Sequence, residues 1–225
     1  MSAGQVVAVI DYGMGNLRSV SKALEHVAGD KRIVVTADPA VVAAADRVVF
    51  PGQGAMPDCM RELDARGLRP VVLAAAKDKP FLGICIGLQM LFEHSEEGDF
   101  AGLGVFAGDV KRFPEAKMFA ADGQRLKVPH MGWNNVVHKP HALWANIDDG
   151  ARFYFVHSYC VQPADSTLVT GTADYGIPFV NGRPNEQMAK DKNYYGVDGN
   201  FDDGTTNMST LSYLHKMSPD TQWRT

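Results

Sequence analysis

Phe81-Leu82-Gly83-Ile84-Cys85-Ile86-Gly87-Leu88-Gln89 decides the fold. Phe81 to Ile84 is a short apolar run, as expected of a strand buried on both faces. The spacing of Leu88, Leu91 and Phe92 predicts a helix over 86–93. Cys85 lies between them, centred in Gly-x-Cys-x-Gly. The small flanking residues permit a sharp, strained strand-to-helix turn that lifts the sulfur out of the sheet into a cleft. A helix N-terminus beneath the sulfur favours thiolate over thiol. The backbone N–H of Ile86, next in the chain, is placed to donate to an oxyanion. A buried structural cysteine is the competing reading, and Cys59 and Cys160 are read that way. For Cys85 the strand-turn-helix context favours a nucleophile.

Working outward, strands and helices alternate. Val6-Val7-Ala8-Val9-Ile10 is a continuous apolar run, and Asp11 to Gly15 turns the chain. Asn16 is a helix N-cap, and Leu17, Val20, Leu24 and Val27 recur at helical spacing. Ile33 to Val35 is a second strand. Asp38-Pro39 then opens a short helix with proline in its first turn. Arg47 to Phe50 is a third strand, ending at Pro51-Gly52-Gln53-Gly54. A helical stretch follows over about 57–77, broken between Gly67 and Pro70. This alternation with short connections predicts an α/β protein, a mostly parallel sheet flanked by helices. After about residue 100, short strands at Val105-Phe106, Val110–Phe113, Asn135–Val137, Phe153–Val156 and Leu168–Thr170 predict a more antiparallel half.

The composition is globular, with 45% hydrophobic and 21% charged residues, and it excludes wholesale disorder. The net charge of −4 argues against a nucleic-acid partner, which needs a basic face. No apolar run reaches the roughly 18–20 residues that cross a bilayer. The N-terminus shows no export signal. The three cysteines cannot all pair, which suggests a reducing, cytoplasmic setting. The distribution is uneven. Residues 180–225 contain 13 hydrophobic residues in 46, about 28%, against about 49% for the remainder. The chain therefore divides into a body, 1–179, and an atypical polar tail, 180–225, in which only Met208–Leu214 has helical character.

Pro51-Gly52-Gln53-Gly54 follows a predicted parallel strand, where open α/β sheets place ligands. Its two glycines allow a peptide to turn an N–H toward an oxyanion, although a plain turn reads the same residues equally well. Gly13-Met14-Gly15 is not a dinucleotide fingerprint, because the third glycine would fall at Arg18. The seven histidines and three cysteines show no metal-ligand spacing, so neither metal nor cofactor is expected. His130 and His157 read as hydrogen-bonded structural histidines in preference to ligand-binding ones.

Taken together, these motifs carry a resemblance. Gly83 to Gln89 is similar to the nucleophile segment of the class I (triad) glutamine amidotransferases. Asp11-Tyr12-Gly13-Met14-Gly15-Asn16-Leu17, Pro51 to Gly54, Pro129-His130-Met131-Gly132-Trp133-Asn134 and Tyr154 to Tyr159 narrow it. They resemble the glutaminase subunits of imidazole glycerol phosphate synthase, from about residue 5 to Phe179. The resemblance implies a flavodoxin-like amidotransferase fold in which Cys85 attacks the side-chain amide of glutamine. Gln53 and Ile86 would hold the oxyanion, and Gly52, Gln89, Ser158 and Tyr159 would hold glutamine. Ammonia would pass to a cyclase subunit, a (β/α)8 barrel, in a heterodimer; Trp133 and Tyr154 match segments near that interface. For Trp133 an ordinary, partly exposed aromatic is the alternative.

The family's His-Pro-Glu, supplying the base and its orienting carboxylate, is expected within some twenty residues of Phe179. Residues 180–225 contain no such motif, and their one histidine, His215, has unrelated neighbours. The chain as written is therefore expected to be weak or inactive. A non-catalytic homologue that binds the barrel or glutamine is the alternative, as is a different cysteine hydrolase on the same fold.

Overall fold

The computed structural model describes residues 5–182. The first half is a four-stranded parallel sheet of β1 (Val6–Ile10), β2 (Arg32–Thr36), β3 (Arg47–Phe50) and β4 (Phe81–Gly83), in the order β2-β1-β3-β4. All four residues of β3 are buried, which explains its unbroken apolar run. Five helices connect or follow these strands: α1 (Leu17–Val27), α2 (Pro39–Ala44), α3 (Met56–Ala65), α4 (Arg69–Asp78) and α5 (Ile86–Gln89). Asn16 caps α1 by accepting from the Ser19 N–H at 3.2 Å, and Asp38 caps α2 through Ala40 at 2.8 Å. The break expected after Gly67 separates α3 from α4, with Gly67 at φ +64°. Val20, Leu24, Val42, Met60, Leu63 and Val72 from the helices close the core around β1 and β3.

Strand order reverses between β1 and β3. The loops after these strands meet at the C-terminal edge of the sheet, where open α/β sheets place their ligands. Asp11–Asn16, Pro51–Ala55 and the β4–α5 turn all lie at that edge.

The second half is antiparallel in most of its pairings. β5 (Phe92–Ser95), β6 (Phe100–Ala101), β7 (Phe106–Arg112) and β11 (Tyr159–Pro163) form a sheet ordered β11-β7-β5-β6, in which β5 and β7 alone run parallel. β8 (His130–Asn135) and β10 (Arg152–His157) make an antiparallel ribbon. β9 (Val137–His138), β12 (Gly171–Asp174) and β13 (Pro178–Gly182) make a third sheet.

Four expectations are corrected. The helix over 86–93 stops at Gln89, because the carbonyls of Met90 and Leu91 accept from Leu103 and Phe106 and draw the chain into β5. The two strands at 105–106 and 110–113 are one strand, β7. The strand at 135–137 is split where Val136 bonds back to Ala151, between β8 and β9. Leu168–Thr170 is no strand. Asp165 accepts from the Thr167 N–H at 2.9 Å and caps a 3-10 turn over Ser166–Leu168, so pairing begins at Gly171. The Met208–Leu214 helix and His215 lie outside the described residues. No described helix is long and apolar enough to cross a membrane.

Candidate active site

Cys85 occupies φ 59°, ψ −124°, a conformation that costs a non-glycine residue about 1–3 kcal/mol. The surrounding structure enforces it. Ile84 donates its N–H to the Phe50 carbonyl at 3.0 Å, continuing the β3–β4 pairing up to the turn. Gly87 donates to Ile84 at 2.9 Å and closes the elbow. A Cβ on Gly83 would lie 2.8 Å from Leu88 Cα, and one on Gly87 would run into the Phe50 carbonyl. Both glycines are therefore required by close backbone approach. The α5 helix is one turn long and its dipole is small, so any local stabilisation of negative charge rests on individual N–H groups. Ile86 is the first helical residue, and its N–H has no intrahelical acceptor.

The Pro51–Gly54 loop packs directly on the elbow. A Cβ on Gly52 would meet Gly87 N at 2.7 Å, Tyr12 Oη at 2.8 Å and Ile86 Cβ at 2.9 Å. Gly15 in turn abuts Pro51 and Gly52. Beneath the loop, the Cys59 thiol donates to the Gln53 carbonyl at 3.3 Å, and the buried Tyr12 hydroxyl donates to Met90 Sδ at 3.7 Å. Burial raises the pKa of both Tyr12 and Cys59, so each is a neutral donor. Glu97 accepts from the Met56 N–H at 2.8 Å and tethers the start of α3; burial raises its pKa.

The structure thus brings the Gly52–Gln53 loop against the elbow that carries Cys85, Ile86 and Gln89. Gln89 is 1% exposed, on the one-turn helix that follows Cys85. Ser158 and Tyr159 lie where β10 passes into β11, and the Ser158 carbonyl accepts from Phe113 at 2.9 Å. Trp133 and Tyr154 stand apart from Cys85 in the fold, on the outward face of the β8–β10 ribbon. They are direct cross-strand partners with ring centroids 5.5 Å apart, and Arg152 lies over Trp133. Met131, 61% exposed, extends that face.

His130 and His157 are both buried and hydrogen-bonded to each other at 3.1 Å, as structural histidines would be. The sequence reading missed the Tyr12–Cys59 support. Its members are scattered along the chain, and a buried thiol gives no local signal of what it bonds. Cys160 is buried and its pKa is pushed up to about 11 by burial, consistent with an inert thiol. Among the described residues no group of three His, Cys, Asp or Glu side chains could hold a metal ion.

A cysteine on a strand-elbow-helix turn, packed against the glycine-rich loop at the switch point of a parallel sheet, is the arrangement of a cysteine hydrolase. The chain belongs to the class-I glutamine amidotransferases, whose family profile (Glutamine amidotransferase class-I) matches residues 8–197. Within that family it is 78% identical over 177 residues to the imidazole glycerol phosphate synthase subunit HisH of Dechloromonas aromatica, covering 79% of this chain and 82% of that one. It is 72% identical over 176 residues to the HisH subunit of Aromatoleum aromaticum, covering 78% and 83%. Among solved structures, PurLQS from Thermotoga maritima matches with a TM-score of 0.58 at 17% identity over 83% of this chain and 84% of that one. A crystal structure of glutamine amidotransferase matches at 0.56 and 13%, over 85% and 99%. These two likenesses concern the fold.

Proposed function

We propose that this chain is the glutaminase subunit of imidazole glycerol phosphate synthase. It hydrolyses glutamine and delivers the ammonia to a cyclase partner that makes imidazole glycerol phosphate and aminoimidazole carboxamide ribotide in histidine biosynthesis. The observation that carries this reading is Cys85, held at φ 59° against the Gly52 loop; the identity to HisH subunits selects the branch. In this reading the Cys85 sulfur attacks the side-chain carbonyl of glutamine. The oxyanion is met by the N–H groups of Gln53 and Ile86, while Gly52, Gln89, Ser158 and Tyr159 hold the substrate. Collapse of the tetrahedral adduct breaks the C–N bond and releases ammonia, and water then cleaves the thioester to glutamate. The partner is a (β/α)8 barrel in a heterodimer, docked on the Trp133–Tyr154 face. The enzyme works in the cytoplasm, a setting that suits its three cysteine thiols.

On this reading the body at 1–179 carries the amidotransferase domain and the tail at 180–225 is an atypical addition, with β13 running through that boundary to Gly182. Residues 180–225 offer no His-Pro-Glu, so the leaving ammonia has no shuttle for its proton. Loss of a general base costs ~100-fold to 10,000-fold in rate. The same observation favours the second reading, a homologue that binds barrel or glutamine without turnover. Glutaminase assays of the natural product with its cyclase partner, after intact-mass analysis of its C-terminus, separate the two. The proposal expects slow turnover abolished by Cys85→Ala. Full family-level turnover with residues 180–225 in place would refute the missing base, and no turnover or Cys85 adduct at all would refute the glutaminase role.

A further inference from the structure

β8 and β10 place His130 directly opposite His157, both on the inward face and both 3% exposed. His130 Nδ1 lies 3.1 Å from His157 Nε2, and His157 Nδ1 lies 2.9 Å from the Tyr159 carbonyl oxygen. A carbonyl oxygen can only accept, so His157 carries its hydrogen on Nδ1. Burial holds both rings neutral, with pKa values pushed down to about 4. His157 Nε2 is then a lone pair, and His130 must donate to it through Nδ1. Two hydrogen bonds therefore run one way, from His130 to His157 to the Tyr159 carbonyl.

Aromatic rings fix the geometry. His130 stacks on Tyr175, centroids 3.8 Å apart, and on Phe155 at 5.0 Å. Phe113 meets the edge of His157 at 4.9 Å, and Phe179 packs on it at 5.0 Å.

The bonding at 158–159 gives this pair a purpose. The Ser158 carbonyl faces β7 and is taken by the Phe113 N–H, which makes Tyr159–Arg112 a non-hydrogen-bonded pair. The N–H and carbonyl of Tyr159 consequently both point away from β7. His157 occupies the carbonyl, so the main-chain donor of Tyr159 on the side away from β7 is its N–H.

We infer that His157, oriented by His130, is a positioning residue that sets the Ser158–Tyr159 backbone so that it presents a donor to glutamine. This rests on the reading that Ser158 and Tyr159 hold glutamine. The test uses the full chain, alkylated at Cys85 by 6-diazo-5-oxo-L-norleucine across a concentration series, with adducts quantified by peptide mass. Iodoacetamide reports the same thiol without needing a glutamine pocket. His157→Phe keeps the ring packing and removes both bonds. It should raise the half-saturating concentration about tenfold, the usual effect of one lost hydrogen bond. The limiting alkylation rate and the iodoacetamide rate should stay within about twofold. His157→Asn, with an amide N–H near the Nδ1 position, should recover most of the affinity. His130→Phe should give a smaller rise, and it carries the test if His157→Phe does not fold. Unchanged half-saturation in a folded variant overturns the inference. So does a parallel loss of iodoacetamide reactivity, which marks a merely structural role. Wild-type labelling that does not saturate, or that glutamine does not compete, overturns the glutamine reading instead.

Discussion

Cys85 keeps its strained backbone because neighbouring atoms leave it no alternative. The Phe50 carbonyl occupies the space in which Gly87 would carry a side chain, and Leu88 does the same for Gly83. Gly87→Ala should therefore destabilise the fold by roughly 1–3 kcal/mol, the range for overpacked cores, as read from urea unfolding. An unchanged midpoint would mean that the Phe50 carbonyl yields freely. The histidine pair makes a second prediction. In the unfolded chain each ring takes up its proton as pH falls through about 6.5, whereas in the fold it resists protonation down to about 4. Between those values the unfolded state binds more protons, so stability should decline with falling pH by about 1.4 kcal/mol per unit for each histidine. Thermal melts from pH 7 to 4.5 should show this slope, and His130→Phe should roughly halve the pair's share. At this scale Cys85 and its glycines were readable because an elbow is spelled in consecutive residues. The His130–His157 bond was not, since only strand pairing brings those residues together across 27 positions.

The elements divide along the same line. β1, β3 and their helices were legible because burial on both faces writes unbroken apolar runs, and because Asn16 and Asp38 announce helix starts. The one-turn α5 and strand β5 were not, because carbonyls of Met90 and Leu91 are claimed by residues 103 and 106. Hydrophobic spacing at Leu88, Leu91 and Phe92 cannot register that competition. Asn16→Ala should cost about 1 kcal/mol by removing the α1 cap, measurable as a shift in unfolding midpoint. The β8–β10 ribbon presents Met131, Trp133 and Tyr154 outward while its other face carries His130, Phe153, Phe155 and His157 inward. On the docking proposal, Trp133→Ala should weaken association with the cyclase subunit by 2 kcal/mol or more, about 30-fold, in a binding titration. An unchanged affinity would remove the ribbon from the interface.

For the whole molecule, the contrast in composition between residues 1–179 and 180–225 bears on the proposed function. About four fifths of it aligns with HisH subunits of other organisms. The family profile continues to residue 197, 18 residues beyond Phe179, where the motif resemblance stops. The first three of these, 180–182, complete β13, and 183–197 lie outside the described part of the fold. On the proposed function, the site named from sequence is the nucleophile and oxyanion half, and residues 180–225 contain no His-Pro-Glu to complete it. A chimera of residues 1–179 followed by the C-terminal segment of the Dechloromonas aromatica subunit should regain glutaminase turnover by ~100-fold or more over this chain, assayed with the cyclase. Equal rates would show that proton transfer here needs no such segment.

The outward ribbon also equips the protein with an optical probe. Trp144 is buried and stacked on His138, centroids 4.8 Å apart, so its emission is insulated from events at the surface. Trp133 is half-buried on a solvent-facing strand, where its indole senses the polarity of whatever covers it. A partner seated there would shift Trp133 emission to the blue while leaving Trp144 unmoved. With the third tryptophan, Trp223, replaced by phenylalanine, docking could then be followed in real time by intrinsic fluorescence, without attaching any dye.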